Sequence, residues 1–138
     1  EALIQGIVDG TVDTISTDHA PHTKEDKLNG APGLSGIETA FSVSYTTLVK
    51  NGYIDLKKFS QITSANAGRI MDVNKGRIEK GYDADVVLVD IDKEITVDGE
   101  KFVSKGKITP FNGMKFYGEV AMTINNGKIK YTNKDYEF

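Results

Sequence analysis

The sequence contains no cysteine. That excludes disulfides, thiolate metal sites and cysteine nucleophiles, and it fits a reducing cytoplasm. No apolar run approaches the roughly 20 residues needed to span a bilayer. No positively charged, apolar leader stands at the N-terminus, so neither a membrane nor a secretory route is expected. A basic surplus is also lacking: the formal net charge is -3, which argues against a nucleic-acid partner. Internal repeats and low-complexity tracts are absent. What is present is an ordinary globular composition, 38% hydrophobic and 27% charged, with 14 glycines and three prolines. The 138 residues suffice for one domain with a hydrophobic core. The first residue is Glu1 rather than Met, which suggests a chain separated from something longer.

The pattern changes near Asp72 to Lys75, from one strand followed by helices to strands and turns. Val12-Asp13-Thr14-Ile15-Ser16-Thr17 is rich in β-branched residues and reads as a short strand. Asp18 to about Leu34 reads as a long loop, broken by Pro21, Gly30, Pro32 and Gly33. Ser35 and Glu38 have the spacing of a capping box. Behind them, Ile37, Ala40, Phe41, Tyr45 and Leu48 recur at helical spacing, and Asn51-Gly52 stops that helix. Asp55 is expected to cap a second helix with Leu56, Phe59 and Ile62 inward. Ser64 is expected to cap a third, with Ala67, Ile70 and Met71 inward.

Beyond Gly76 the reading is β. Asp85 to Asp90 is an apolar run of strand length, and Gly118–Ile124 and Lys128–Tyr131 alternate around Asn125-Asn126-Gly127, a hairpin turn. Lys75, Arg77, Glu79 and Lys80 read as a solvated stretch. A lone strand leaves its backbone groups unpaired on both edges. The front half is therefore expected to be the end of a larger α/β sheet or barrel.

Chemistry concentrates in Thr17-Asp18-His19-Ala20-Pro21-His22, where the expected strand ends. In α/β barrels that edge carries catalytic and metal-binding groups. A carboxylate and two imidazoles can bind zinc, or act as a base with its orienting partners. Equally, Asp18 can cap a turn, His19 can bond a backbone carbonyl and His22 can be solvated. Ala31-Pro32-Gly33 can present backbone amides to a substrate, or be simply a turn.

Together with Gly36-Ile37-Glu38-Thr39-Ala40-Phe41, Ser64–Ile70 and Gly81-Tyr82-Asp83-Ala84-Asp85-Val86-Val87, these motifs resemble the C-terminal third of class I dihydroorotases, within the amidohydrolase superfamily. The resemblance covers essentially the whole chain. It implies an α/β fold: the last strand and helices of a metal-dependent TIM-like barrel over residues 1–72, then part of a small β-sandwich over 73–138. It also implies reversible hydrolysis of dihydroorotate to N-carbamoyl-aspartate, a step of pyrimidine synthesis, with two zinc ions activating the attacking water. By the same resemblance Asp18 binds zinc and acts as general base, and His22 holds the substrate carboxylate. The backbone at Pro32 and Gly33 hydrogen-bonds the ring, and His19 supports the site without binding metal.

The family's remaining zinc ligands, a His-x-His pair, a bridging carboxylated Lys or Asp and two further His, have no counterpart here, nor have its substrate-binding Arg and Asn. The chain alone is therefore expected to be inactive and to lack two tight zinc sites, and to associate with the missing N-terminal part of the same enzyme or with itself as a homo-oligomer. Two other readings remain open. One is a dihydropyrimidinase or allantoinase, against which His22 argues. The other is a non-catalytic dihydroorotase-like scaffold for a partner such as aspartate transcarbamoylase, against which Asp18 argues.

Overall fold

Ala2–Asp9 winds into helix α1 in the computed structural model, which describes all residues 1–138. The helix was not expected from the sequence. It closes on Gly10, which takes φ 90°, a left-handed conformation that glycine adopts without strain. The chain then runs on from Thr11 without joining a sheet. The expected strand Val12–Thr17 thus lacks its ladder, because no second strand lies beside it. Its backbone is tied by Ile15 N–H to Ile62 O at 3.1 Å, and one isolated parallel bridge joins His19 to Leu34.

The expected loop Asp18–Leu34 contains a short helix, α2 (Lys24–Leu28). Thr23 Oγ1 accepts from Asp26 N–H and the Asp26 carboxylate accepts from Thr23 N–H, each at 3.1 Å. This reciprocal cap makes the helix. With no buried residue it shows no apolar periodicity.

The capping box expected at Ser35 and Glu38 is not formed. Ser35 Oγ donates to Gly106 O at 2.5 Å, and the Glu38 carboxylate accepts from Val103 and Ser104 N–H at 2.8 and 2.9 Å. Both side chains serve the C-terminal half instead, so α3 begins later, at Ala40–Tyr45, and continues through a π-turn, Thr46–Lys50. Asn51 and Gly52 (φ 77°) end it, as expected.

Asp55 Oδ1 accepts from Lys58 N–H at 2.7 Å and opens the next rod, also as expected. That rod runs through α4 (Leu56–Ser60), a π-turn (Gln61–Ala65) and α5 (Asn66–Ile70). Ser64 therefore caps nothing. The backbone stays helical from Ser60 to Asn66, leaving no break where a cap could act.

Ile62 is wholly buried, packed with Ile7 and Leu48 and flanked by Ile4, Val12, Ile15 and Ile54. Burying such a side chain contributes about 1.5–3 kcal/mol. Phe59 sits edge-on to Phe41 and Tyr45, with ring centroids at 5.5 and 6.1 Å. Ile37, Leu56, Ile70 and Met71, expected inward, are exposed, because elements of this chain cover only one side of the rods.

β1 (Val86–Thr96), β2 (Lys115–Asn125) and β3 (Lys128–Thr132) form an antiparallel sheet in that order. The β2–β3 turn has φ 49° at Asn126 and 69° at Gly127, the paired positive values of a tight hairpin. Helix α3 packs directly on β2. Ser42 Oγ donates to Gly118 O at 2.5 Å, and Thr46 Oγ1 accepts from Tyr117 N–H at 2.7 Å. At Gly118 a Cβ would stand 2.7 Å from Phe41, so only glycine allows this approach.

Lys75 is not simply solvated. It bridges Asp83 and Asp85 at 2.9 and 2.5 Å, while Asp85 also accepts from Asn125 and Asn126 of the hairpin. These bonds, from Lys75 above all and then from Asn126 N–H, hold the Asp85 carboxyl below its ordinary pKa. No helix is long and apolar enough to cross a membrane.

Candidate active site

The Asp18–His22 segment is shaped by its own short side chains. Thr17 Oγ1 accepts from His19 N–H at 3.3 Å across Asp18, which takes φ 45°. For a residue with a Cβ this left-handed conformation costs about 1–2 kcal/mol, although aspartate tolerates it better than most. Strain of this kind persists where surrounding structure enforces it, and it clusters at functional sites. The turn leaves Asp18 exposed to solvent.

A second segment is pressed against the first. Ala20 N–H donates to Leu34 O at 3.1 Å. Gly33 takes φ 103°, and a Cβ there would stand 2.7 Å from both Ala20 Cβ and Ala20 O, and 3.3 Å from His22 Cδ2. Only glycine lets the two segments approach so closely. Lys27 Nζ, from α2, donates to Ala31 O at 2.7 Å and Gly33 O at 2.9 Å, fixing the carbonyls on either side of Pro32. Behind the site, Gly106 lies so close to Pro21 and Ser35 that a Cβ would meet them at 2.5 and 3.0 Å.

The structure thus brings His22 and Gly33 together, with Pro32 beside them and Asp18 on the preceding strained turn. The Asp18 and His22 side chains take no part in the hydrogen bonds that hold these segments. Asp18 offers an oxygen donor suited to a divalent cation, but no three acidic, histidine or cysteine groups converge here as a complete cage. The residues present fit one ligand of a metal site and do not fit a whole one. Sequence reasoning missed Lys27, Ser35 and Glu38 as supports of the site. Only Ser35 and Glu38 carried a local signal, and it pointed elsewhere.

A separate groove of about 770 Å³ opens between the helices and the sheet, lined partly by Ile15, Phe41, Ile78, Val87 and Val120. It contains none of the candidate site residues.

Residues 1–130 match the family described as "Amidohydrolase family", and the chain belongs to it. Among curated proteins, it is 55% identical over 131 residues to a dihydroorotase of Clostridium botulinum, covering 95% of this chain and 33% of that protein. It is 51% identical to a dihydroorotase of Caldanaerobacter subterraneus, covering 99% and 33%. A dihydroorotase of Fusobacterium nucleatum is 45% identical, covering 97% and 32%. The chain therefore spans about a third of the length of these relatives.

Among solved structures, a dihydropyrimidinase of Brevibacillus agri superposes with a TM-score of 0.89 at 27% identity, covering 96% of this chain and 31% of that one. A D-hydantoinase of Thermus sp. gives 0.88 at 27%, covering 95% and 31%. These likenesses give the chain an amidohydrolase-type α/β fold.

Proposed function

We propose that the chain is the C-terminal third of a dihydroorotase, contributing one metal-binding carboxylate and part of the substrate site to the reversible hydrolysis of dihydroorotate. The observation that carries this reading is identity of 45–55% to dihydroorotases over nearly the whole chain, against 27% to the dihydropyrimidinase and hydantoinase structures. The strained, exposed Asp18 beside the His22–Gly33 clamp supports it.

In this reading Asp18 would be one ligand of a zinc ion, which would supply activation of the water and polarisation of the ring carbonyl. Asp18 takes the proton from the attacking water. It returns that proton to the ring nitrogen as the C–N bond breaks, giving N-carbamoyl-aspartate. His22 holds the substrate carboxylate. The backbone at Pro32 and Gly33, steadied by Lys27, hydrogen-bonds the ring. Residues 1–72 are then the end of the barrel, with Val12–Thr17 its last strand, and 73–138 are the C-terminal share of the sandwich. The partners are the N-terminal part of the same enzyme and further copies of it, in the cytoplasm.

The test is dihydroorotate hydrolysis by the full-length protein with zinc supplied. Asp18→Ala is expected to lower kcat by about 10³-fold, and dihydrouracil should not be turned over. An intact protein without activity would overturn the enzyme reading in favour of a scaffolding subunit. Full activity in Asp18→Ala would remove Asp18 from the chemistry.

A further inference from the structure

His19 stands between the two segments, and its bonding is specific. Its Nδ1 accepts from Gly36 N–H at 3.2 Å and from Ile37 N–H at 3.3 Å. An imidazole nitrogen that accepts carries no proton, so the ring proton of the neutral side chain lies on Nε2. Gly36 also lies close against the same turn, where a Cβ would meet Thr17 O at 3.2 Å. The main chain of His19 is in turn fixed by Thr17 Oγ1 and by the bridge to Leu34. One side chain thus spans from the turn carrying Asp18 to the exit of the Pro32–Gly33 loop, 17 and 18 residues further along.

We propose that His19 is a positioning residue, whose Nδ1 sets the Pro32–Gly33 loop at its working distance from Asp18. The inference rests on the functional reading above and adds to it a specific atom. Without the acceptor, two backbone donors lose their partner, and the loop keeps only Lys27 and the Ala20–Leu34 bond to hold it against the substrate ring. Since the loop binds and Asp18 reacts, the loss falls mainly on KM.

The experiment uses the full-length enzyme with three substitutions. His19→Asn keeps an acceptor near the place of Nδ1, His19→Gln moves it outward, and His19→Leu removes it. His19→Leu and His19→Gln are expected to raise KM for dihydroorotate about tenfold, the worth of one to two hydrogen bonds, with bound zinc unchanged. His19→Asn should recover most of that loss. Amide exchange of Gly36 and Ile37 should quicken in His19→Leu and stay slow in His19→Asn. Nitrogen NMR of the unmodified enzyme should show the Nε2–H tautomer. Equal impairment of Asn and Leu, loss of zinc in His19→Leu, or a proton on Nδ1 would each overturn the proposal. An unmodified enzyme inert toward dihydroorotate would overturn the functional reading instead, while exchange and NMR still decide the role of Nδ1.

Discussion

Replacing Gly33 by alanine places a methyl group where the structure has none to spare. The new Cβ would stand 2.7 Å from Ala20 Cβ and from Ala20 O, well inside van der Waals contact. Neither neighbour can swing aside, because one is backbone and the other is fixed rigidly to it. A φ of 103° adds the cost of holding an L-residue at positive φ, about 1–2 kcal/mol. Relief requires the two segments to part, which sacrifices the bond from Ala20 N–H to Leu34 O, worth about 0.5–1.5 kcal/mol. The sum is about 1.5–3.5 kcal/mol, and the displacement falls on the loop proposed to hold the substrate ring. A shift approaching 1 Å at such a place can cost about 10²-fold in rate. Gly33→Ala in the full-length enzyme is therefore expected to lower both the thermal unfolding midpoint and kcat/KM for dihydroorotate, the latter by about 10²-fold. A variant with unchanged midpoint and unchanged kinetics would refute the argument that Gly33 clamps the two segments.

Ile62→Ala empties the centre of the helical core, where the side chain is 0% exposed, and should cost about 2–5 kcal/mol in chemical denaturation; a change under 1 kcal/mol would mean that the site collapses to fill the space. Lys75→Met removes the cation between Asp83 and Asp85 and should lower the unfolding midpoint at neutral pH. Asp85 is depressed, so its contribution is present above the ordinary carboxylate pKa near 4 and is lost as pH falls through the lower folded value. Lys75 is raised, chiefly by its hydrogen bond to Asp85, so its contribution is complete below the ordinary lysine pKa and is lost as pH rises through the folded value. The midpoint gap between variant and parent should hold between about pH 5 and 10 and narrow outside that window. A gap of the same size at pH 2 would show that packing, not charge, sets it.

What the sequence made legible was local. Asn126-Gly127 and Asn51-Gly52 demand particular backbone angles, and Asp55 needs only the amide three residues on, so each was found where it was expected. Tyr45, Leu48, Phe59 and Ile62 announced the core through helical spacing. Ser35 and Glu38 carried the same kind of local signal, but their oxygens are taken by residues 103–106. A tertiary partner outcompeted the local one, and a window of four residues contains no trace of it. Val12–Thr17 has strand composition, but a ladder is a property of two segments and only one lies here. At the site the residue types of Asp18, His22 and Gly33 stood out as a motif. The left-handed turn at Asp18 and the reach of Lys27 to two carbonyls depend on the path of the chain, which residue types alone do not specify.

The bonds that Ser35, Glu38 and Ser42 make to the C-terminal half join residues 65 to 76 positions apart. Long loops must close before any of these bonds can form, and topologies dominated by such distant pairings fold slowly. During synthesis the segment carrying Asp18 and His22 leaves the ribosome well before residues 103–118, which hold its surroundings in place. For that interval the site loop lacks its rear support, whatever the state of the chain ahead of it. Completion of the last third of this chain adds that rear support to the bonds the loop already makes within residues 19–37, so a premature stop near residue 100 is expected to loosen the site while leaving every candidate site residue in the product.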